Sequence, residues 1–211
     1  MIEYRFFANV SLGKMHPRNT LQPSLLLMLC LLLALPACRR QPPPLPILGS
    51  VQLDFALQDQ DGQTVTPATF QDSIYVTDFF FTTCPTICPI MKSQMVRVYE
   101  AFRNQPRVLL LSHTIDPEHD TVSVLQSYAQ GLEIDASRWH LVTGPKRAIY
   151  GLAKHYMLGV VESPQAPGGY LHSGSFCLID RHRRIRGYYD GTDGAEVDRL
   201  IADIRRLLEE P

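Results

Sequence analysis

Two thiols four residues apart, Cys84 and Cys88, are the groups in this chain best suited to chemistry. They lie in Thr83-Cys84-Pro85-Thr86-Ile87-Cys88-Pro89, between an apolar run and an amphipathic one. Thiols so spaced can close a disulfide, exchange with another disulfide, or hold a soft metal together. A purely structural disulfide this local closes too small a loop to add much stability. Idle buried thiols fit badly in a polar turn that carries two prolines. Redox or metal chemistry is therefore the expectation.

The flanking residues say how the thiols are positioned. Ile74-Tyr75-Val76-Thr77-Asp78-Phe79-Phe80-Phe81 is β-branched and aromatic and reads as a buried strand. After the turn, Met91, Met95, Val98 and Phe102 recur at helical spacing. Proline lacks an N–H and fits only the first turn of a helix, so Pro89 puts the helix start at Ile87 or Cys88. Cys88 then falls where free N–H groups and the helix dipole favour a thiolate. Asp78 is a carboxyl in an apolar strand, costly there without a partner or a task. It is a candidate proton relay or modulator of the thiols, or else a hydrogen-bonded residue at a strand edge.

The other candidates come from strand ends and loops. Val108-Leu109-Leu110-Leu111-Ser112 reads as a second apolar strand, leading to His113 and Asp116. Both are candidates for the rim of a site, although Asp116-Pro117 also reads as loop punctuation. His172 follows a loop rich in proline and glycine, Ser163 to Gly169, and is itself followed by Gly174. Alone, a loop histidine is usually just solvated; the glycines here favour a segment able to swing it toward the thiols. Cys177 alternates with Phe176 and Leu178 and reads as a small buried hydrophobe.

The remaining elements supply a frame. Asp54–Gln58 and Gln63–Thr66 flank an Asp-Gly turn and read as a hairpin at the start of the domain. Asp120 is placed to cap a helix from Thr121 to Gln130. Trp139–Val142 is a short strand, and Gly144-Pro145 opens a helix running to about Tyr156. Ser175–Ile179 and Arg183–Tyr189 read as a final hairpin, its turn basic. Asp193 with Glu196 resembles a capping box before the last helix, whose stripe is Val197, Leu200, Ile201, Ile204, Leu207 and Leu208. Strands that alternate with helices and end in a hairpin imply an α/β sheet covered on both faces. Sites in such sheets gather beyond the C-terminal ends of parallel strands, where Cys84 and His113 both fall.

Ahead of this frame, residues 1–37 read as an export signal. Leu25 to Leu35 is an apolar run preceded by Lys14, His16 and Arg18, shorter than the roughly 18 residues a spanning helix needs. Leu35-Pro36-Ala37-Cys38 resembles a bacterial lipobox, which implies lipidation of Cys38 and a domain held outside the cytoplasm, in the cell envelope. Residues 38–50 read as a proline-rich tether and 51–211 as one domain. Met15 is an alternative start. With 20 Lys and Arg against 21 Asp and Glu, no basic excess exists to attract nucleic acid. Five cysteines in the chain, three of them in the domain, are too few for a disulfide-stapled scaffold.

Phe79-Phe80-Phe81-Thr82-Thr83-Cys84-Pro85-Thr86-Ile87-Cys88-Pro89 resembles the Cys-Pro-x-x-Cys-Pro signature of the Sco/SenC family of copper-binding proteins. Asp116-Pro117-Glu118-His119-Asp120-Thr121 is similar to that family's Asp-Pro-Glu-x-Asp-Thr stretch. Leu171-His172-Ser173 sits where the family keeps its metal-binding histidine, with Leu171 in place of an aspartate common in relatives. The resemblance implies a thioredoxin-like fold, a central mixed sheet flanked by helices. It implies a copper ion, Cu(I) or Cu(II), on Cys84, Cys88 and His172, with Cys84 and Cys88 also able to form a redox-active disulfide. It further implies a partner, the copper-bearing subunit of cytochrome c oxidase. Thioredoxins also place an aspartate six residues before their first active cysteine, the spacing of Asp78 to Cys84. Two thiolates and an imidazole suit copper on physical grounds, although spacing alone leaves zinc with a bound water open.

Two functions compete on these residues. One is a copper chaperone. The other is a thiol–disulfide oxidoreductase, in which one thiolate attacks a partner disulfide and the other resolves it. Only the first needs His172. A peroxidase would want a threonine three residues before its reactive cysteine, where Phe81 and Pro85 stand instead.

Overall fold

Every residue of Ile74–Phe80 is buried, as a near-continuous apolar run demands of a strand covered on both faces. The computed structural model describes residues 43–210. The apolar run of Leu25 to Leu35, Cys38 and the first proline of the tether lie outside the described residues.

The domain begins with β1 (Gly49–Ser50), β2 (Leu57–Gln58), β3 (Thr64–Val65) and β4 (Ile74–Phe80), followed by α1 (Cys88–Phe102). Then come β5 (Val108–Thr114), α2 (Val122–Gly131), β6 (Trp139–Val142) and α3 (Lys146–His155). The chain closes with β7 (Val160–Glu162), β8 (Tyr170–His172), β9 (Ser175–Ile179), β10 (Arg184–Asp190) and α4 (Gly194–Glu209). The main sheet runs β1-β10-β9-β4-β5-β6. β4, β5 and β6 are parallel, whereas β9 and β10 join antiparallel, so the sheet is mixed. β2 and β3 form the expected N-terminal hairpin.

Period-two alternation divides the core between the two faces. Asp78 and Phe80 point to the α1 side, where Phe80 stacks on Tyr128 of α2 at 5.7 Å between centroids. Thr77 and Phe79 point to the other side, where Phe79 meets His113 and Tyr156, just beyond α3. Arg97 of α1 pairs with Asp198 of α4, so these helices lie together. Cys177 is wholly buried in β9, as its alternation implies. Among the described residues no helix is long and apolar enough to cross a membrane.

Two local expectations need correction. Asp120 does not cap α2. The N-cap is Thr121, without a side-chain bond, because the Asp120 carboxyl is turned inward to satisfy Thr82 and Thr114. At α4 Asp193 does cap, accepting from Ala195 N at 2.8 Å, but Glu196 turns to Arg199 and closes no box.

The stretch assigned to a tether is, from Pro43, packed on the domain. Leu45 is buried, and β1 pairs with β10. Arg186, from the basic final hairpin, donates to Leu45 O at 2.7 Å and to Pro46 O at 3.1 Å. It also pairs with Asp180 and Glu210, so a buried guanidinium has acceptors on every side. Residues 43–50 therefore belong to the folded unit.

Candidate metal centre

β4 is followed by Phe81, wholly buried, and the turn Thr82–Ile87 carries Cys84 to the mouth of α1. The helix starts at Cys88, with Pro89 in its first turn where its missing N–H costs nothing. Cys84 and Cys88 are both free thiols. His172 arrives from the other side of the mouth on β8, which pairs with β7 in a hairpin separate from the main sheet. The histidine is thus on a strand, not in a loose loop; Ser163 to Gly169 is the tip of its hairpin.

The hairpin already holds His172 against the sulfurs. Its Nε2 lies 3.1 Å from Cys88 Sγ, and the three possible ligand atoms of Cys84, Cys88 and His172 all lie within 4.8 Å of one another. Nδ1 of His172 lies 3.0 Å from Ser173 O. A carbonyl only accepts, so Nδ1 carries the proton and the lone pair of Nε2 faces the sulfurs. That is the outer hydrogen bond metal-binding histidines generally use to fix their tautomer. Burial lowers the His172 pKa, against a smaller rise from the Ser173 carbonyl, which favours the neutral ring a metal requires.

The two thiols differ. Burial raises Cys84, but hydrogen bonds from the Thr86 and Cys88 backbone and side chains outweigh it, so its pKa falls below the ordinary thiol value. Burial pushes Cys88 up to about 12, with Cys84 adding to the rise and Lys92 opposing it. This reverses the expectation that the helix mouth favours a Cys88 thiolate. Desolvation outweighs the dipole for a residue only 1% exposed. Two soft sulfurs and one oriented imidazole nitrogen, with no fourth protein ligand among the described residues, fit a soft ion such as copper better than a closed zinc site.

The remaining candidates are placed as follows. Asp78 is not at an edge: β4 lies between β9 and β5, and the carboxyl is wholly buried. It accepts from Lys92 Nζ at 2.7 Å, and Ser112 Oγ bridges the pair. Among the described residues no hydrogen bond joins it to either thiol. His113 does not reach the rim. It is wholly buried on the opposite face of the sheet, stacked on Phe79, with Nδ1 3.2 Å from Thr77 Oγ1. The alternation of β5 sends Ser112 to the thiol side and His113 away from it. Asp116 is half-buried and accepts from Tyr170 OH at 3.0 Å.

Sequence reasoning missed Lys92 and Phe81. Lys92, 1% exposed, lies over the Phe80 ring at 4.0 Å and lines a cavity of about 580 Å³ beside Cys84 and Cys88. A lysine in a helix otherwise reading Met91, Met95, Val98 looks like a solvent-facing residue; only the unpaired carboxyl of Asp78 signals it. Phe81 packs against both Tyr170, at 5.2 Å, and His172, at 6.1 Å. Gly168, with φ +79°, meets that ring so closely that a Cβ would stand 2.8 Å from it.

Fold and cluster together define a thioredoxin-like domain whose cysteine turn is completed by a histidine into a three-ligand set for a soft metal. The SCO1/SenC family model matches residues 48–209, and the chain belongs to that family. It is 27% identical over 153 residues to the SCO1 protein homolog of Bacillus subtilis, covering 72% of this chain and 79% of that one. A SCO1/SenC family lipoprotein from Bacillus anthracis superposes with a TM-score of 0.70 at 27% identity, over 77% of this chain and 97% of that chain. BsSco, described as a member of the Sco family of cytochrome c oxidase assembly proteins and as carrying a disulfide switch, gives 0.68 at 25% identity, over 78% and 97%.

Proposed function

We propose that the protein is a copper chaperone, taking a copper ion on Cys84, Cys88 and His172 and passing it by ligand exchange to the copper-bearing subunit of cytochrome c oxidase. The observation that carries this reading is the imidazole. A disulfide reductase has no use for His172, yet its Nε2 is aimed at Cys88 Sγ with the tautomer set by Ser173. Copper is cargo here. The two sulfurs retain it, and the histidine, on a hairpin outside the main sheet, is the ligand most easily withdrawn for transfer. Membership of the Sco family and the oxidase-assembly description of BsSco support the choice of acceptor. The thiolates favour Cu(I), and the imidazole suits Cu(II) as well.

The proposed setting is the cell envelope, with a lipid on Cys38 anchoring the chain. The lipobox-like Leu35-Pro36-Ala37-Cys38 supports it, as does the lipoprotein description of the Bacillus anthracis relative. Mass spectrometry of the membrane fraction tests this part: a mature N-terminus without lipid on Cys38 would discard it.

The lowered thiol of Cys84 favours a second reading, a thiol–disulfide oxidoreductase acting on the cysteines of an oxidase subunit or another envelope protein. Copper titration of the reduced protein beside a disulfide-reduction assay, with His172→Ala in both, separates the two. The chaperone reading expects weakened copper binding with thiol exchange retained. Unchanged copper affinity and spectrum would remove His172 from the site.

A further inference from the structure

The loop Asp116–Asp120 touches both halves of the ligand cluster without supplying a ligand. Asp120 is wholly buried; its carboxyl accepts from Thr82 N at 3.0 Å and from the hydroxyls of Thr82 and Thr114. Thr82 lies two residues before Cys84. At the other end of the loop, Asp116 Oδ1 accepts from Tyr170 OH at 3.0 Å, and Tyr170 lies two residues before His172. The loop is braced internally, Asp116 N donating to Thr114 Oγ1 at 3.1 Å and Asp120 N to Asp116 O at 2.8 Å.

We propose that this loop is a clamp that sets the His172 hairpin against the cysteine turn, with Asp116 and Tyr170 as positioning residues for the copper ligand. The inference rests on the reading of Cys84, Cys88 and His172 as the copper site. β7 and β8 pair only with each other, and a lone two-stranded hairpin is marginally stable in water. Its placement therefore depends on side-chain contacts. In β8 the side chains alternate, Leu171 outward at 56% exposure, Tyr170 and His172 inward. Phe81 packs against both inward rings, and Lys146 of α3 pairs with Glu162 of β7 and lies over the Tyr170 ring at 5.6 Å; ring packing and a largely solvent-exposed ion pair locate the hairpin without fixing its register. The Tyr170–Asp116 hydrogen bond is directional. It joins the strand that carries His172 to the loop that Asp120 ties to the Cys84 turn, so both ligand-bearing segments share one anchor.

Loss of that bond favours the open hairpin by a factor of about 10, the effect of one hydrogen bond to a carboxyl group. The test uses reduced, metal-free wild type, Tyr170→Phe, Asp116→Ala, which keeps no acceptor for the tyrosine hydroxyl, and the double variant, followed by hydrogen exchange of peptides covering residues 160–172. Exchange there should rise about tenfold in each single variant, with peptides of β4 and β5 unchanged. The double variant should match the singles, because one bond is removed in all three. In the copper-loaded proteins, removal of copper by excess chelator should accelerate by up to the same factor. Hairpin exchange unchanged in both single variants, or multiplied in the double, would overturn the clamp. His172→Ala separates the two failures: if wild type and His172→Ala bind copper alike, the copper site is wrong, while the exchange data still decide the clamp.

Discussion

Replacing Asp78 by Asn changes little in shape but leaves Lys92 with an ammonium inside the fold and no carboxylate to meet it. The Lys92 side chain is 2% exposed and that of Asp78 0%, with Nζ 2.7 Å from Oδ2. Its other partners are Ser112 Oγ at 3.0 Å and the face of Phe80, both neutral. Removing one member of a buried pair typically costs about 3–5 kcal/mol, a large share of the roughly 5–15 kcal/mol that stabilises a domain. Replacing both members by apolar residues, as in Asp78→Leu with Lys92→Met, leaves no orphaned charge and should recover most of that loss. Urea unfolding of the reduced, metal-free proteins measures all three variants on one scale. The ordering expected is wild type and the double variant close together, and both single variants well below. A loss under about 1 kcal/mol for Asp78→Asn would refute the argument, since Lys92 would then have another way to reach water or a counter-charge. The pair also bears on the site: Lys92 opposes the rise of the Cys88 thiol, so Lys92→Met should raise that thiol further in a pH titration of alkylation rate.

Further consequences follow from other buried groups. Burial pushes the His113 imidazole down to about 4, from an ordinary histidine value of about 6.5. A depressed folded value means the unfolded chain binds the extra proton first, so this stability is complete above pH 6.5 and is lost as pH falls toward 4. The loss amounts to about 3 kcal/mol at most, and His113→Gln should flatten that part of the pH–stability curve; an unchanged slope between pH 6.5 and 4 would contradict it. Gly168→Ala forces a side chain into a left-handed backbone position and against Phe81. It should cost about 1–2 kcal/mol and loosen the hairpin, read as faster exchange over residues 160–172; exchange equal to wild type would contradict the packing.

Much of this was legible because it depended on local pattern. The uninterrupted run Ile74–Phe81 read as a buried strand, and Pro89 put the start of α1 at Ile87 or Cys88, the second of which is where it begins. What escaped depended on distant partners. Asp78 read as a proton relay or an edge residue, and its true partner escaped because that counter-ion sits 14 positions away on a helix face that reads as ordinary. His113 and Ser112 exchange roles according to which face each strand residue takes, and one residue of register decides it. Asp120 read as a helix cap, and the same carboxyl serves Thr82, 38 positions earlier. The tether misled for a similar reason. Prolines favour an extended chain, but the carbonyls of Leu45 and Pro46 are acceptors that a buried Arg186 needs.

The central claim is that two sulfurs and one imidazole nitrogen hold the copper. X-ray absorption at the copper edge of the loaded protein, beside loaded His172→Ala, measures this directly. The account predicts two sulfur scatterers in both samples and an imidazole signature in the wild type alone. Fewer than two sulfurs in the wild type, or an imidazole signature that survives the loss of His172, would contradict it.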